Sequence, residues 1–376
     1  MKVVMTGGGT AGHVNPALSI AGIIRSREPD ACVEFIGTAD RLEAKLVPAA
    51  GYKLSTIEVY GLKRSLSPKN IVVLIKAFSS YRKCKKMLRT ISPDVVIGTG
   101  GYVSWPVCRA ACSLGIPTLL HEANAAPGFA VKSLDGKADV IMVNFKDTIK
   151  SLGSQKTQKV HVGMPVNHDF YTVKRQDARA KVFGGVKYKY MILSFGGSLG
   201  AEKINEAVLG LIGNYLSSNP DILLVHSTGA KGYEPFMQRM REAGIDKYPN
   251  VQIRDYIYDM PELMSAADIV ISRSGASTMS ELSTIGKPSI LIPSPNVTND
   301  QQYKNAKIFA DKGAAVLMEN DKTTPELLEK TVKELFDDPE KLRAMSDAAY
   351  GLSVRDTDDK IYGCILNAIK KNTESK

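Results

Sequence analysis

An apolar run ending in a glycine-rich turn occurs twice in this chain, once in each half. Lys2-Val3-Val4-Met5 leads into Thr6-Gly7-Gly8-Gly9-Thr10-Ala11-Gly12-His13. Tyr190-Met191-Ile192-Leu193-Ser194-Phe195 leads into Gly196-Gly197-Ser198-Leu199-Gly200-Ala201. Each is a β-rich run, a glycine turn, then a helix-compatible segment. This is how an α/β domain brings backbone N–H groups and a helix N-terminus up to an anion. Two such units predict two Rossmann-like domains facing a shared cleft, and hence a transaction between two bound molecules. At 376 residues the chain exceeds one ordinary core, which agrees.

Strand-like runs continue the pattern at Val33–Ile36, Val95–Ile97, Thr118–Leu120 and Val140–Val143, with helical stretches such as Pro16–Arg27, Asp40–Ala49 and Ile71–Thr90 among them. After Gly163-Met164-Pro165-Val166 a second series follows: Met191–Phe195, Ile222–His226, Val251–Arg254, Ile269–Ser272, Ser289–Ile292 and Ala315–Leu317. Ala201–Leu216 and Ser277–Ile285 read as helices, and Pro325–Lys371 as consecutive helices. The βαβ rhythm predicts two parallel sheets with right-handed crossovers. Ligands of such sheets sit beyond the carboxyl ends of the strands, so the glycine turns mark each working edge.

The net charge of +10 implies an anionic partner. The excess is concentrated in 63–90, where Lys63, Arg64, Lys69, Lys76, Arg82, Lys83, Lys85, Lys86 and Arg89 interleave with Ile71, Val72, Leu74, Phe78 and Tyr81 and no acid intervenes. Such a segment either lies on an anionic membrane surface or buries its apolar side in the core and solvates its lysines. No nucleic-acid motif or stacking platform is present, so no nucleic-acid partner is expected. No uninterrupted apolar run reaches the ~18 residues of a spanning helix, and the N-terminus lacks the pattern of a signal peptide. Five scattered cysteines offer no zinc-ligand spacing and read as reduced thiols of a cytoplasmic protein.

Thr6–His13 lacks the G-x-G-x-x-G spacing of dinucleotide sites and has no ribose-binding acid ~20 residues on. His13 stands where the loop enters a helix, either as a base or hydroxyl ligand or as a capping and packing residue. Gly98-Thr99-Gly100-Gly101-Tyr102 and His121-Glu122-Ala123-Asn124 reach the same edge. Glu122 is a candidate for substrate contact or a buried structural carboxylate. In the second half, Gly196–Ser198 offers amides and a hydroxyl to a diphosphate. Arg273-Ser274-Gly275-Ala276-Ser277-Thr278 opens a helix, and Arg273 would add charge there. Glu281, one turn in, suits the two hydroxyls of a ribose or the positive end of the helix dipole. Gln301 and Gln302 suit sugar hydroxyls.

Taken in order, these segments closely resemble the MurG family of bacterial UDP-N-acetylglucosamine:lipid I N-acetylglucosaminyltransferases. The match runs through Gly7–His13, Gly37-Thr38-Ala39-Asp40-Arg41-Leu42-Glu43, Gly98–Val103, His121–Gly128, Gly196–Asn205, Arg273–Glu281 and Gln301–Ala306. The resemblance implies a GT-B fold with an acceptor- and membrane-facing domain over 1–165, a UDP-GlcNAc-binding domain over 166–349, and a C-terminal helix in 350–376 that packs back on the first. By position it implies that Ser198, Ala276, Ser277, Thr278 and Glu281 hold the diphosphate and ribose. Ile257 would meet uracil through its backbone, and Asn124, Gln301 and Gln302 the GlcNAc. Thr10, Ala11 and Gly12 would lie against the diphosphate or acceptor. Departures from the family pattern are Ala11 for glycine, Trp105 for glycine, Ala123 for glutamine, Val131 for asparagine and Asn167 for arginine. The last removes a donor contact: either Arg273 or a nearby lysine compensates, or donor affinity is lower.

The expected reaction is inverting: the C4 hydroxyl of the MurNAc of lipid I attacks C1 of GlcNAc, and UDP leaves. His13 is the first candidate for the base. Glu122 is the alternative, or orients the histidine. Loop amides and helix N-termini stabilise the leaving diphosphate, so neither metal nor cofactor is required. The basic segment would seat the enzyme as a peripheral protein on the cytoplasmic face of the membrane. The competing readings are a related transferase with another acceptor and a nucleotide-sugar-binding protein without turnover.

Overall fold

The computed structural model describes residues 1–59, 69–197 and 199–374, the side chains of 69–78 apart. The chain divides into two compact units, Met1–Pro165 with Val354–Lys376, and Val166–Ser353.

The first unit runs β1 (Lys2–Thr6), α1 (Ala11–Arg27), β2 (Cys32–Gly37), α2 (Glu43–Ala49), β3 (Lys53–Thr56), α3 (Lys69–Ile91), β4 (Val95–Gly98), α4 (Ser104–Ser113), β5 (Thr118–Glu122), α5 (Phe129–Leu134), β6 (Val140–Val143) and β7 (Gln158–His161). Its sheet has the order β3-β2-β1-β4-β5-β6-β7, with parallel pairings throughout. Both faces are covered, so the strands read as continuous apolar runs. Val3 and Met5 pack with Ala17, Ile20 and Ile24 of α1 on one face, and Val4 packs with Cys84, Leu88, Val107 and Cys108 on the other.

The second unit runs α6 (Asp169–Thr172), α7 (Arg175–Phe183), β8 (Tyr190–Phe195), α8 (Glu202–Asn214), β9 (Ile222–Ser227), α9 (Tyr233–Glu242), β10 (Val251–Arg254), α10 (Met260–Ala266), β11 (Ile269–Ser272), α11 (Ala276–Thr284), β12 (Ser289–Leu291), α12 (Gln301–Asp311), β13 (Ala315–Leu317), α13 (Pro325–Phe336) and α14 (Pro339–Gly351). Its parallel sheet has the order β10-β9-β8-β11-β12-β13. Counted from its own first strand, each unit therefore reverses direction between its first and fourth strands, the crevice where doubly wound sheets bind ligands. In the first unit the turns after β1 and β4 lie there, and in the second those after β8 and β11. The helices α13 and α14 begin as proline and capping chemistry dictates: Thr324 Oγ1 accepts from Leu327 N at 3.2 Å before Pro325, and Asp338 Oδ1 from Lys341 N at 2.9 Å before Pro339.

The chain then re-enters the first unit as α15 (Thr357–Glu374). Ile361 and Ile365 are fully buried in the α1 face of that core, each worth about 1.5–3 kcal/mol. Tyr362 donates to Glu28 at 2.8 Å, and the exposed Arg27–Asp359 pair adds little.

Lys63 and Arg64 lie outside the described residues. At the far end of the basic segment, Cys84 and Leu88 of α3 are buried in the core while Arg82, Lys83, Lys86 and Arg89 are exposed, the pattern of a core-packed helix with solvated lysines. Among the described residues no helix is long and apolar enough to cross a membrane. The five cysteines are free thiols, and burial pushes Cys84 up to about 12, which makes it an inert packing residue.

Candidate functional site

At the edge of the first sheet, α1 begins at Ala11, so Ala11, Gly12 and His13 lie on the helix. Thr10 is its N-cap residue, but the Thr10 hydroxyl meets His13 Nδ1 at 3.1 Å instead of capping the turn. Thr10, Ala11 and Gly12 are exposed at the start of α1, where His13 N and Val14 N both donate to the Thr10 carbonyl at 3.1 Å. The turn after β4 closes on the imidazole. Thr99 Oγ1 donates to the His13 carbonyl at 2.6 Å. Gly100 has φ +109°, and a Cβ there would fall 2.6 Å from His13 Cδ2. Only glycine permits this approach. Burial lowers the pKa of His13, and the Gly8 carbonyl and the charge of Glu43 push it partly back. An imidazole held below its usual pKa is neutral at pH 7 and ready to accept a proton.

β5 extends through Glu122, whose buried carboxyl braces the loop that follows. Its Oε1 accepts from Asn124 N at 3.0 Å and from Asn124 Nδ2 at 3.4 Å, and its Oε2 accepts from Gly128 N at 2.7 Å. Burial raises its pKa against these donors. Both oxygens are thus engaged by the loop, the arrangement of a residue that positions Asn124 and not of a free base.

In the second unit, the turn after β8 is compact: Gly200 N donates to Gly197 O at 2.9 Å, and a Cβ on Gly200 would collide with the Thr228 carbonyl of the turn after β9. Ser198 lies outside the described residues. After β11, α11 starts at Ala276 behind Gly275, with no side-chain cap and no atom within 4 Å of where a Gly275 Cβ would lie. Ala276, Ser277 and Thr278 are half-buried on its first turn. Uncapped amides at a helix start attract anions. Burial pushes the carboxyl of Glu281 up to about 7, and no described donor meets it.

Ser274 ties the start of α12 to this turn: Ser274 Oγ donates to Gln302 O at 2.8 Å, and Asn305 Nδ2 donates to Ser274 O at 3.1 Å. Gln302 Oε1 in turn accepts from Ser294 N at 2.8 Å. Asn299 (φ +56°) and Asp300 (φ +51°) hold strained left-handed conformations immediately before Gln301. Such strain persists where surrounding structure enforces it and clusters at ligand sites. Ile257 is buried between exposed Tyr256 and Tyr258, whose rings lie 4.8 Å apart, and the Arg254–Asp259 pair at 2.7 Å closes the loop.

Arg273 braces the segment after β12. Its Nη1 donates to the carbonyls of Ile292 (2.9 Å) and Pro293 (3.0 Å) and to Asn320 Oδ1 (2.8 Å). Nη1 thus ties the segment after β12 to Asn320. Asn167 is exposed and starts α6, its Oδ1 accepting from Asp169 N at 3.0 Å. Sequence reasoning gave no role to Glu43, which the structure buries under the first glycine turn. Its signal was present in the Gly37–Glu43 motif, an acid at a helix start just beyond a strand. Among the described residues no group of three or more His, Cys, Asp or Glu is placed to hold a metal ion.

Comparison with known proteins covers nearly the whole chain. Residues 3–143 match the glycosyltransferase family 28 N-terminal domain and residues 191–361 the family 28 C-terminal domain. A relative from Desulforamulus reducens, named UDP-N-acetylglucosamine--N-acetylmuramyl-(pentapeptide) pyrophosphoryl-undecaprenol N-acetylglucosamine transferase, is 41% identical over 97% of this chain and 98% of its own. A Bacillus cereus relative of the same name, numbered 1, is 37% identical over 99% and 100%. The crystal structure of Acinetobacter baumannii MurG superposes with a TM-score of 0.80 at 28% identity, over 97% of this chain and 99% of that one.

Proposed function

The chain belongs to the MurG family of N-acetylglucosaminyltransferases, and from that premise we propose how its residues carry the family's reaction. It is a glycosyltransferase of the GT-B fold that moves GlcNAc from UDP-GlcNAc to the C4 hydroxyl of MurNAc in undecaprenyl-pyrophosphoryl-MurNAc-pentapeptide, lipid I, to give lipid II for peptidoglycan synthesis. The hydroxyl oxygen attacks C1 from the face opposite UDP, the bond from C1 to the diphosphate oxygen breaks, and the electron pair leaves with UDP. The hydroxyl proton passes to His13.

The second unit holds the donor. Amides at the α11 start, with Ala276, Ser277 and Thr278, and Ser198 in the turn after β8, take the diphosphate. Glu281 accepts the ribose hydroxyls, the Ile257 backbone meets uracil, and Gln301 and Gln302 hold the GlcNAc. The first unit holds the acceptor against Thr10, Ala11 and Gly12, and Glu122 positions Asn124. The single observation that carries this reading is Glu281, a half-buried carboxyl one turn into a helix with an uncapped start and without a partner among the described residues. Leaving a carboxylate so costs stability unless a ligand supplies donors. The exposed Arg82, Lys83, Lys86 and Arg89 of the basic segment 63–90, whose helix packs Cys84 and Leu88 in the core, would seat the enzyme, as a peripheral protein, on the anionic cytoplasmic face of the membrane, where lipid I carries its sugar.

The test is transfer of labelled GlcNAc from UDP-GlcNAc to a lipid I analogue with EDTA present. The reading expects full transfer. Binding of UDP-GlcNAc without transfer to lipid I, together with transfer to another lipid-linked sugar, would replace the acceptor.

A further inference from the structure

The turn after β1 is built on a buried acid. Glu43, at the first position of α2, is 1% exposed. Its Oε2 accepts from Gly9 N at 2.9 Å, and its Oε1 accepts from Thr38 N at 3.1 Å and Thr38 Oγ1 at 2.7 Å. The fit is tight on the turn side. A Cβ on Gly8 would collide with both carboxylate oxygens, and one on Gly37 would lie 2.9 Å from Glu43 Cγ. Gly8 and Gly9 therefore lie directly against the carboxylate, and the Gly9 N–H is already donated to it.

Three consequences follow for His13, four residues beyond Gly9. The bond to Gly9 fixes the turn from which α1 starts, and so fixes the helix position that carries the imidazole. The same turn contributes the Gly8 carbonyl that faces the ring. The carboxylate also supplies the negative charge that the ring senses, and its donors keep Glu43 ionised by lowering its pKa despite burial. A nearby negative charge favours the cationic form of a histidine. The cation is the form His13 takes when it receives the acceptor's proton.

We propose that Glu43 is the positioning residue of the catalytic base: it clamps the first glycine turn through Gly9 and stabilises the imidazolium that forms on His13 during transfer. The proposal rests on the reading of His13 as base. Glu43 reaches the reaction through the turn and the histidine and touches neither substrate. Gly9 N–H is correspondingly withdrawn from any phosphate.

The experiment measures transfer to a lipid I analogue as a function of pH, with UDP-GlcNAc affinity, for wild type, E43Q, E43D and H13Q. Glutamine keeps the volume and loses the charge. E43Q is expected to bind UDP-GlcNAc as wild type does and to lose about tenfold or more in kcat. The acidic limb of its profile should move to lower pH by about half a unit or more, because the base loses the charge that raised its pKa. E43D keeps the charge and shortens the reach, so its acidic limb stays in place while kcat falls. A folded E43Q with wild-type kcat and an unmoved acidic limb overturns the role of Glu43 while a dead H13Q leaves the base standing. A fully active H13Q overturns both. Should E43Q fail to fold, E43D decides: reduced kcat with the limb unmoved supports the clamp, and wild-type kcat overturns it.

Discussion

After β1 the chain turns through three glycines, of which Gly8 and Gly9 lie against the carboxylate of Glu43, and Gly9 spends its N–H on that acid. After β11 it turns through Ser274 and Gly275 into α11, whose first turn carries no side-chain cap and lies beside open space. Each edge flanks the switch point of its own sheet, the first beyond the first strand and the second beyond the fourth, and in sequence both read as glycine turns bound for an anion. Their electrostatics differ. The first has a buried negative charge under it and a neutral imidazole on it, an arrangement suited to receiving a proton. The second has uncapped amides above it and the unpartnered carboxyl of Glu281 one turn on, suited to a diphosphate and a ribose. A glycine turn at a switch point thus specifies where backbone approaches a ligand, and the side chains packed beneath it decide which charge the site favours.

The largest effect that would break this comparison is at His13. H13A should lose about 10²-fold or more in transfer, the usual worth of a general base, read by labelled GlcNAc incorporation. Wild-type turnover in H13A would leave the first edge without its chemistry.

Next in size is a pH effect confined to the second edge. Burial raises the Glu281 carboxyl to about 7, so it is protonated below that pH and ionised above it. Only the ionised form accepts from both ribose hydroxyls. Donor affinity should therefore fall as pH drops through 7, by about tenfold between pH 8 and pH 6 for a single titrating acceptor, and E281Q should abolish the slope. UDP-GlcNAc is the ligand to use, since its diphosphate does not titrate in this range. A pH-independent affinity in wild type would remove Glu281 from the donor site.

The smallest effect concerns stability and sharpens the contrast between binding charge and bracing charge. R273A leaves the carbonyls of Ile292 and Pro293 without their donor and should cost about 1–3 kcal/mol, seen as a lower midpoint in urea. Transfer below the unfolding transition should be unchanged. A large loss of donor affinity at unchanged stability would return Arg273 to the diphosphate.

What was legible in the sequence follows from what the physics makes local. β6 and β11 read directly as buried apolar runs bounded by turns, and the edge strands β10 and β13 are legible through Val251 and Ile253 and through Ala315-Val316-Leu317. The edge strands β3 and β7 escape: Lys53–Thr56 and Gln158–His161 are half-exposed, and their polar residues carry no such run. The site divides in the same way. His13, Glu281 and the α11 start are visible because glycine turns and helix starts are sequence-local. The bracing of Arg273 depends on carbonyls 19 and 20 positions away, and the clamp by Glu43 on an N–H 34 positions away. An arginine next to a phosphate loop looks like a phosphate ligand, and only the structure shows that its Nη1 braces the segment after β12. Glu122 is intermediate: its buried carboxyl was one of two readings, and only the bonds to Asn124 and Gly128 show that the loop engages both oxygens.

The most direct test of the division between the two edges is calorimetric titration of UDP-GlcNAc onto H13A and E281A beside wild type. The account predicts that H13A binds the donor with wild-type affinity and E281A binds it at least about tenfold more weakly. Weak binding by H13A together with wild-type binding by E281A would contradict it, and would place the donor on the first sheet.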